Sequence, residues 1–410
     1  MNINAINGLS GNLARLPQNY LIARKMQLIG VLERLCQEIE LTDAQLELAR
    51  RRYEGVGDWL AGATDSILRA LAIYLQGSTA LGTTVRPLGR NEHDVDLIAL
   101  ARHGSPHYSP VTIKLAVGRR LRENGHYAPL LEEKPRCWRL TYANEFHLDI
   151  TPSIPNPSCT QGGELVPDKL VQAWKPTNPK GYRSLFDRRA VLMPRLRSTA
   201  QDRTMASGKS AEVEAFPESN SFTGILRRIV QVAKRHRDIH FELTEPALAP
   251  ISVILTTLLS QSYEYCVSQF VYDTEFDLLC DVLRRMPLFI EQHAEGNRTL
   301  WFVWNETTRG ENFAEKWNSD SNLPQAFFAW HRQAVIDLEQ LANLEGLDVI
   351  TKHLGGAFGP SIASKVMAGI TANVGSSRSA GRLRVAPAIG LTSAAIAATP
   401  VRANTFFGAP

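Results

Sequence analysis

The chain has 410 residues, 44% hydrophobic and 21% charged, which excludes disorder as the default state and gives room for two domains with cores of their own. Its formal charge of +4, from 45 basic and 41 acidic side chains, is too small to mark a general nucleic-acid binder, so no obligatory nucleic-acid partner is expected. Five cysteines (Cys36, Cys137, Cys159, Cys266 and Cys280) stand far apart with no CxxC pair, which argues against a zinc ribbon or a dithiol centre and suits a reducing compartment.

From the N-terminus, MNINAINGLSGNLARLPQNY lacks the apolar segment of a signal peptide, and no run reaches the roughly 18 to 20 apolar residues that span a bilayer. The expected location is the cytoplasm, without membrane attachment. Residues 21–53 place Ile22, Met26, Ile29, Leu32, Leu35, Ile39 and Leu46 near the helical repeat, which predicts one long amphipathic helix or two. Residues 58–74 continue in that style, their end already compatible with a strand. QGSTALGTT is a small-residue turn, and DVDLIALA at 94–101 alternates acidic and apolar side chains before turning wholly apolar, as a strand entering a core does. CWRLTYANEFHLDITPSIP carries two strand-like runs, the second being FHLDI, ended by Pro152. Residues 195–221 are poor in large apolar side chains and read as a linker. Beyond them, 222–241, 251–272 and 276–294 are helix-like, and the last stretch is biased to Gly, Ala, Ser and Pro. The expected division is a catalytic core with N-terminal helices at 1–210, a helical domain at 211–370 and a flexible tail at 371–410.

Successive side chains of an extended chain point to opposite faces, so Asp94 and Asp96 project from one side of their strand. Two carboxylates so close repel unless positive charge lies between them. Magnesium meets that need, because it prefers hard oxygens and commonly takes one or two carboxylates together with substrate phosphates. Asp149 in FHLDI supplies a third carboxylate from a second strand. Two ions, magnesium or manganese, held about 4 Å apart by Asp94, Asp96 and Asp149 would activate an attacking hydroxyl and neutralise a leaving pyrophosphate. The turn at Gly77 and Ser78 provides for the phosphates, since glycine lets backbone amides approach closely and the serine hydroxyl donates a hydrogen bond. A DxD pair alone usually marks a solvated strand end; the turn, the pair and the third acid together are far more specific.

These motifs resemble the bacterial CD-NTases, the cyclic-oligonucleotide synthases related to cyclic GMP-AMP synthase and oligoadenylate synthetase. The likeness rests on Gly77-Ser78 in QGSTALGTTVRP, on DVD and on FHLDITPSIP. It continues in NPKGYRSLF, LRRIVQVAKRHRD, ISVILTTLLSQSY and ENFAEKW, and spans about residues 50–320. The resemblance implies an α+β fold: a polymerase-beta-like core with a mixed sheet, a C-terminal helical domain, and the active-site cleft between them. It further implies that Gly77 and Ser78 contact a triphosphate and that the three aspartates hold magnesium. The implied substrates are nucleoside triphosphates, ATP among them, and the implied product is a cyclic di- or trinucleotide used as a bacterial signal in antiphage defence.

Four further signals concern the nucleotide and the tail. In LRRIVQVAKRHRD, Arg227 and Lys234 share a helix face, and Lys234 is the candidate phosphate contact. Tyr182 is a candidate for stacking on a base, and Ser260 for reading a base edge. His147 shares a strand face with Asp149 and suits a supporting role, and Arg139 precedes that strand with its charge unassigned. The tail motif ANTFFGAP reads as a docking segment for a partner protein. Two alternatives share the acid site or its fold: addition of a single nucleotide to a small molecule, protein or RNA end, and a catalytically silent nucleotide-binding protein that signals through its tail.

Overall fold

The computed structural model describes residues 18–65, 67–68, 70–89, 93–143, 146–168, 172–197, 224–382, 384–386, 390–392 and 399–400. The opening helical region is two helices, α1 (Gln18–Ile39) and α2 (Asp43–Ala61). Thr42 separates them: its hydroxyl accepts from the Gln45 N–H at 3.3 Å while the Gln45 side chain accepts from the Thr42 N–H at 3.0 Å, a reciprocal cap that starts a new helix. Then come β1 (Leu71–Gln76), α3 (Gly77–Leu81), β2 (His93–Ala101), α4 (Pro110–Arg122), β3 (Leu131–Glu133), β4 (Trp138–Tyr142), β5 (Phe146–Pro155), β6 (Glu164–Asp168) and β7 (Ala173–Thr177).

These seven strands form one mixed sheet, in the order β1-β2-β5-β4-β3, with β6 and β7 continuing from the far end of β5. β2 and β5 are parallel and every other pair in the sheet is antiparallel. The two acid-bearing strands therefore run side by side in the same direction. β5 passes through Pro152 to Pro155 instead of ending at the proline. β4 pairs with β5 only as far as Ile150 and β6 joins at Ile154, so one flank of β5 has no ladder to complete at Pro152. On one face of the sheet α4 presses Gly118 against Trp138. A Cβ there would stand 2.2 Å from the indole, and the indole N–H donates to the Lys114 carbonyl at 2.8 Å.

α5 (Pro179–Ala190) and β8 (Arg195–Leu196) lead into the expected linker, of which 198–223 lies outside the described residues. The helical half holds α6 (Ile225–Glu242), α7 (Ser252–Gln269), β9 (Val271–Tyr272), α8 (Glu275–Arg285), the hairpin β10 (Glu291–Glu295) and β11 (Arg298–Phe302), α9 (Asn322–Leu341), α10 (Leu347–Phe358) and α11 (Pro360–Ser379). The helix read over 276–294 stops at Arg285, ahead of Pro287, and its last residues enter the hairpin, which turns at Gly296 with φ of 60°. Short strands β12 (Arg384–Ala386), β13 (Gly390–Thr392) and β14 (Thr399–Pro400) form a small antiparallel sheet.

Packing divides the chain differently from its order. α1 buries Leu32, Leu35, Cys36 and Ile39 in the helical core, with Leu255 and Leu258 of α7, whereas α2 packs Val56 and Leu60 on the sheet. At about 2 kcal/mol for each fully buried aliphatic side chain, this anchors α1 to the helical half and not to the catalytic sheet with which the sequence grouped it. α11 buries Ala363 and Val366 in the same core and stays helical to Ser379, past residue 371 where the flexible tail was expected to begin. Its small side chains allow close approach to α1. The motif ANTFFGAP lies outside the described residues. Among the described residues no helix is long and apolar enough to cross a membrane.

Candidate active site

β1 delivers the chain to the Gly-Ser turn directly beside β2. Gln76 pairs with Asp96, and Gly77 takes a φ of 63°, in the left-handed region. A Cβ on Gly77 would stand 2.4 Å from Asp96 Oδ2, so the position requires glycine both for its backbone and for the space it leaves to the carboxylate.

Across the β2–β5 pair, Asp96 faces Asp149 and Asp94 faces His147. The parallel register thus brings together three carboxylates that are far apart in sequence. Burial raises the pKa of Asp94, and that of Asp96 is pushed up to about 7, first by burial and then by the charges of Asp149 and Asp94. Arg139 stands opposite Asp149 on β4. Its Nε and Nη2 donate to the two Asp149 oxygens, both at 2.7 Å, and Nη2 also reaches Asp94 Oδ1 at 3.1 Å. The guanidinium is the positive charge that the clustered acids require. Among the described residues no group of three or more acidic, histidine or cysteine side chains is placed to hold a metal ion, and Arg139 bridges Asp94 and Asp149.

A carboxyl that binds its proton more tightly in the folded chain than in the unfolded one stabilises the fold at low pH. For Asp96 this contribution is complete below its ordinary value and is lost as pH rises to about 7. The unfolding free energy of Asp96→Asn should therefore gain on that of the parent by roughly 2 to 4 kcal/mol between pH 4 and pH 8. Urea titrations in metal-free buffer measure this; parallel pH profiles would mean that Asp96 ionises as freely as in the unfolded chain.

A cleft of about 720 Å³ opens above the acids, between sheet and helices. Gly77, Ser78, Asp94 and Asp96 line its floor, and Tyr182 and Arg183 of α5 one side. Lys234, Arg237 and Asp238 of α6 face Ser252, Val253 and Thr256 at the start of α7. Asn305, Glu311 and Phe313 close the remaining wall, with the Asn305 amide donating to Glu311 Oε2 at 2.7 Å. Tyr182 shares a hydrogen bond of 2.9 Å with the Thr257 hydroxyl and meets Phe313 edge-on. Asp149 and its partner Arg139 do not line the cleft; they lie beside it, held together by their two hydrogen bonds.

Lys234 donates to the Thr83 carbonyl at 3.0 Å and the Thr83 hydroxyl at 3.1 Å, and burial pushes its amine down to about 7. Its neighbours in the basic run do similar work. Arg227 donates to the Leu81 carbonyl at 2.8 Å, Gln231 to that of Thr84 at 3.2 Å and Arg235 to that of Arg86. This face of α6 therefore secures the segment that follows the Gly-Ser turn, whose carbonyls no strand satisfies. Of the five basic residues in the run, Lys234 and Arg237 line the cleft.

Ser260 is not brought to the cleft. It is buried inside α7, its hydroxyl donating to the Thr257 carbonyl at 3.1 Å and accepting from Arg189 Nη1 at 3.3 Å. Ser252 and Thr256, two turns and one turn earlier on the same face, are the α7 hydroxyl residues that line it. The signal in the sequence was Pro250, which marks the helix start and therefore the end that points at the cleft.

The profile of the Second Messenger Oligonucleotide or Dinucleotide Synthetase domain matches residues 26–189, a span that contains Gly77, Ser78 and all three aspartates. A protein of Roseivirga ehrenbergii described as a c-di-GMP synthase is 29% identical over 389 residues, 94% of this chain and 98% of its own. Residues 26–189 thus carry the domain that marks the bacterial CD-NTases, and the chain is similar to one of them over most of its length. Two solved structures share the fold. The Bradyrhizobium diazoefficiens CD-NTase CdnG, determined in complex with GTP, aligns with a TM-score of 0.61 at 20% identity over 86% of this chain and 99% of that one. CdnC of E. coli MS115-1, determined with a HORMA protein, aligns with a TM-score of 0.56 at 11% identity over 81% of this chain and 97% of that one. The matched domain is that of nucleotidyltransferases that make second-messenger oligonucleotides or dinucleotides, and the fold is the polymerase-beta-like core with a helical domain that the sequence led us to expect.

Proposed function

We propose that this protein joins two GTP molecules, in a metal-dependent reaction, into a cyclic dinucleotide second messenger for antiphage signalling, with release of pyrophosphate. The observation that carries the reading is the register that sets Asp96 against Asp149 directly beneath the Gly77 turn. Guanine is favoured because the Roseivirga relative is described by its guanine product and the Bradyrhizobium CdnG was determined with GTP. ATP, implied by the resemblance, is the second nucleotide to test.

The donor set suits magnesium or manganese: three hard carboxylates around a place now held by a guanidinium. When bound by Asp94, Asp96 and Asp149, a pair of such ions supplies hydroxyl activation and neutralises charge on the leaving group. The chain's own groups do the rest. The Gly77 and Ser78 amides and the Ser78 hydroxyl take the outer phosphates, opposite Lys234 and the N-terminus of α7, whose amides and dipole favour an anion. A triphosphate beside Lys234 favours its charged form. Asp149 accepts the proton of the attacking ribose hydroxyl, whose oxygen bonds to the α-phosphorus as the bond to pyrophosphate breaks; a second round closes the ring. Tyr182, on the cleft wall, suits stacking against a base.

The test is a mass spectrum. GTP with magnesium is expected to give a phosphatase-resistant product with the mass of a cyclic guanine dinucleotide. A product requiring ATP would correct the substrate, and only linear or acceptor-linked products would overturn ring synthesis.

A further inference from the structure

Asp238 has no part in phosphate binding or in the acid site, yet it faces the same cleft. It lies four residues beyond Lys234, one turn further along the same face of α6 and so further from the triphosphate position. Its neighbour Arg237 fixes it. Arg237 Nε and Nη2 both donate to Asp238 Oδ1, at 2.9 and 2.6 Å. Arg237 Nη1 donates to the Pro250 carbonyl at 2.9 Å and the Ser252 hydroxyl at 3.1 Å, which ties the pair to the start of α7. Among the described residues no donor reaches Asp238 Oδ2, and one N–H of Arg237 Nη2 is left over. The side chain is 24% exposed and belongs to the cleft wall, which leaves its carboxylate open to a ligand there.

We infer that Asp238, held by Arg237, determines the base used by this enzyme, and that the base is guanine. A carboxylate oxygen accepts only. Guanine alone among the four bases carries two adjacent N–H donors on one edge, N1–H and N2–H2, next to the O6 acceptor that the spare Arg237 N–H can meet. Adenine and cytosine each place a ring acceptor beside their amino group, and uracil flanks its single N–H with two carbonyls; each of these turns an acceptor toward the carboxylate. A site built to satisfy donors rejects a base that lacks them more strongly than a hydrophobic pocket can. The anchor also makes the carboxylate rigid, so little freedom is lost when the base arrives.

This inference rests on the nucleotide-binding reading of the cleft, and the test keeps the two apart. Calorimetry would compare non-cleavable α,β-methylene analogues of GTP, ATP and inosine triphosphate, together with inorganic tripolyphosphate, on the parent and on Asp238→Asn. Inosine lacks only the N2 amino group, and tripolyphosphate has no base. The parent should bind the guanine analogue at least about 10-fold more tightly than the inosine or adenine analogue, and Asp238→Asn should remove most of that preference. Tripolyphosphate binding should be unchanged, which also shows that the variant is folded. Equal affinity of the parent for the three analogues, or a parallel loss of tripolyphosphate binding in the variant, would overturn the assignment. Base preference without product from GTP would overturn the synthase reading alone. Product with unaltered base usage in Asp238→Asn would overturn the base assignment alone.

Discussion

Asp96→Asn, alone or with Asp94→Asn, is expected to lower product formation from GTP by about 1,000-fold or more, because the amide no longer supplies the anionic oxygen that would hold a metal ion against the reacting phosphate. The variant should nevertheless be at least as stable as the parent when metal-free. The carboxyl of Asp96 is pushed up to about 7 by burial and by its acidic neighbours, so a neutral amide of the same shape relieves repulsion at neutral pH. An inactive protein with an undiminished melting temperature is the combination to look for, read from phosphatase-resistant product and thermal denaturation on one preparation. Activity within tenfold of the parent would remove Asp96 from the chemistry.

Gly77→Ala should be the next most damaging single change. Two effects act there. The left-handed φ of 63° costs an alanine about 1 to 2 kcal/mol, and the new Cβ would stand 2.4 Å from Asp96 Oδ2, so the carboxylate has to move. A displaced reacting group is costly, and a loss of about 100-fold in turnover is expected. Gly89 provides the control: its φ is also 63°, but nothing lies within 4 Å of where its Cβ would be. Gly89→Ala should show a similar stability loss with activity nearly intact. Equal activity losses in both variants would mean that backbone strain, and not the clash with Asp96, is what matters at Gly77.

How much of this was legible in the sequence follows from how local each feature is. The period-two spacing of Asp94 and Asp96 and the small-residue turn at Gly77 are local, and both stand where the sequence places them. That Asp149 would come level with Asp96 depends on a parallel pairing between strands some 50 residues apart, which no local pattern specifies; the sequence offered Asp149 as a third acid on a second strand but not its register. The basic run of α6 is only partly turned to the cleft, which Lys234 and Arg237 line, for a physical reason. Charge marks a face that needs oxygen partners, and here carbonyls of residues 81–86 supply them as a triphosphate would. Ser260 failed similarly, since a hydroxyl in an apolar helix meets its need just as well with the carbonyl one turn back. Residues 291–294 of the first hairpin strand were absorbed into a helix because that strand, EQHAE, is exposed along its whole length and shows no apolar period.

The guanidinium of Arg139 bears on how the acids coexist in one small volume. Because Asp94 and Asp149 already have a counter-ion tethered beside them, their mutual repulsion is answered from within the chain, and the two parallel strands that carry them can pair without any cation supplied from outside.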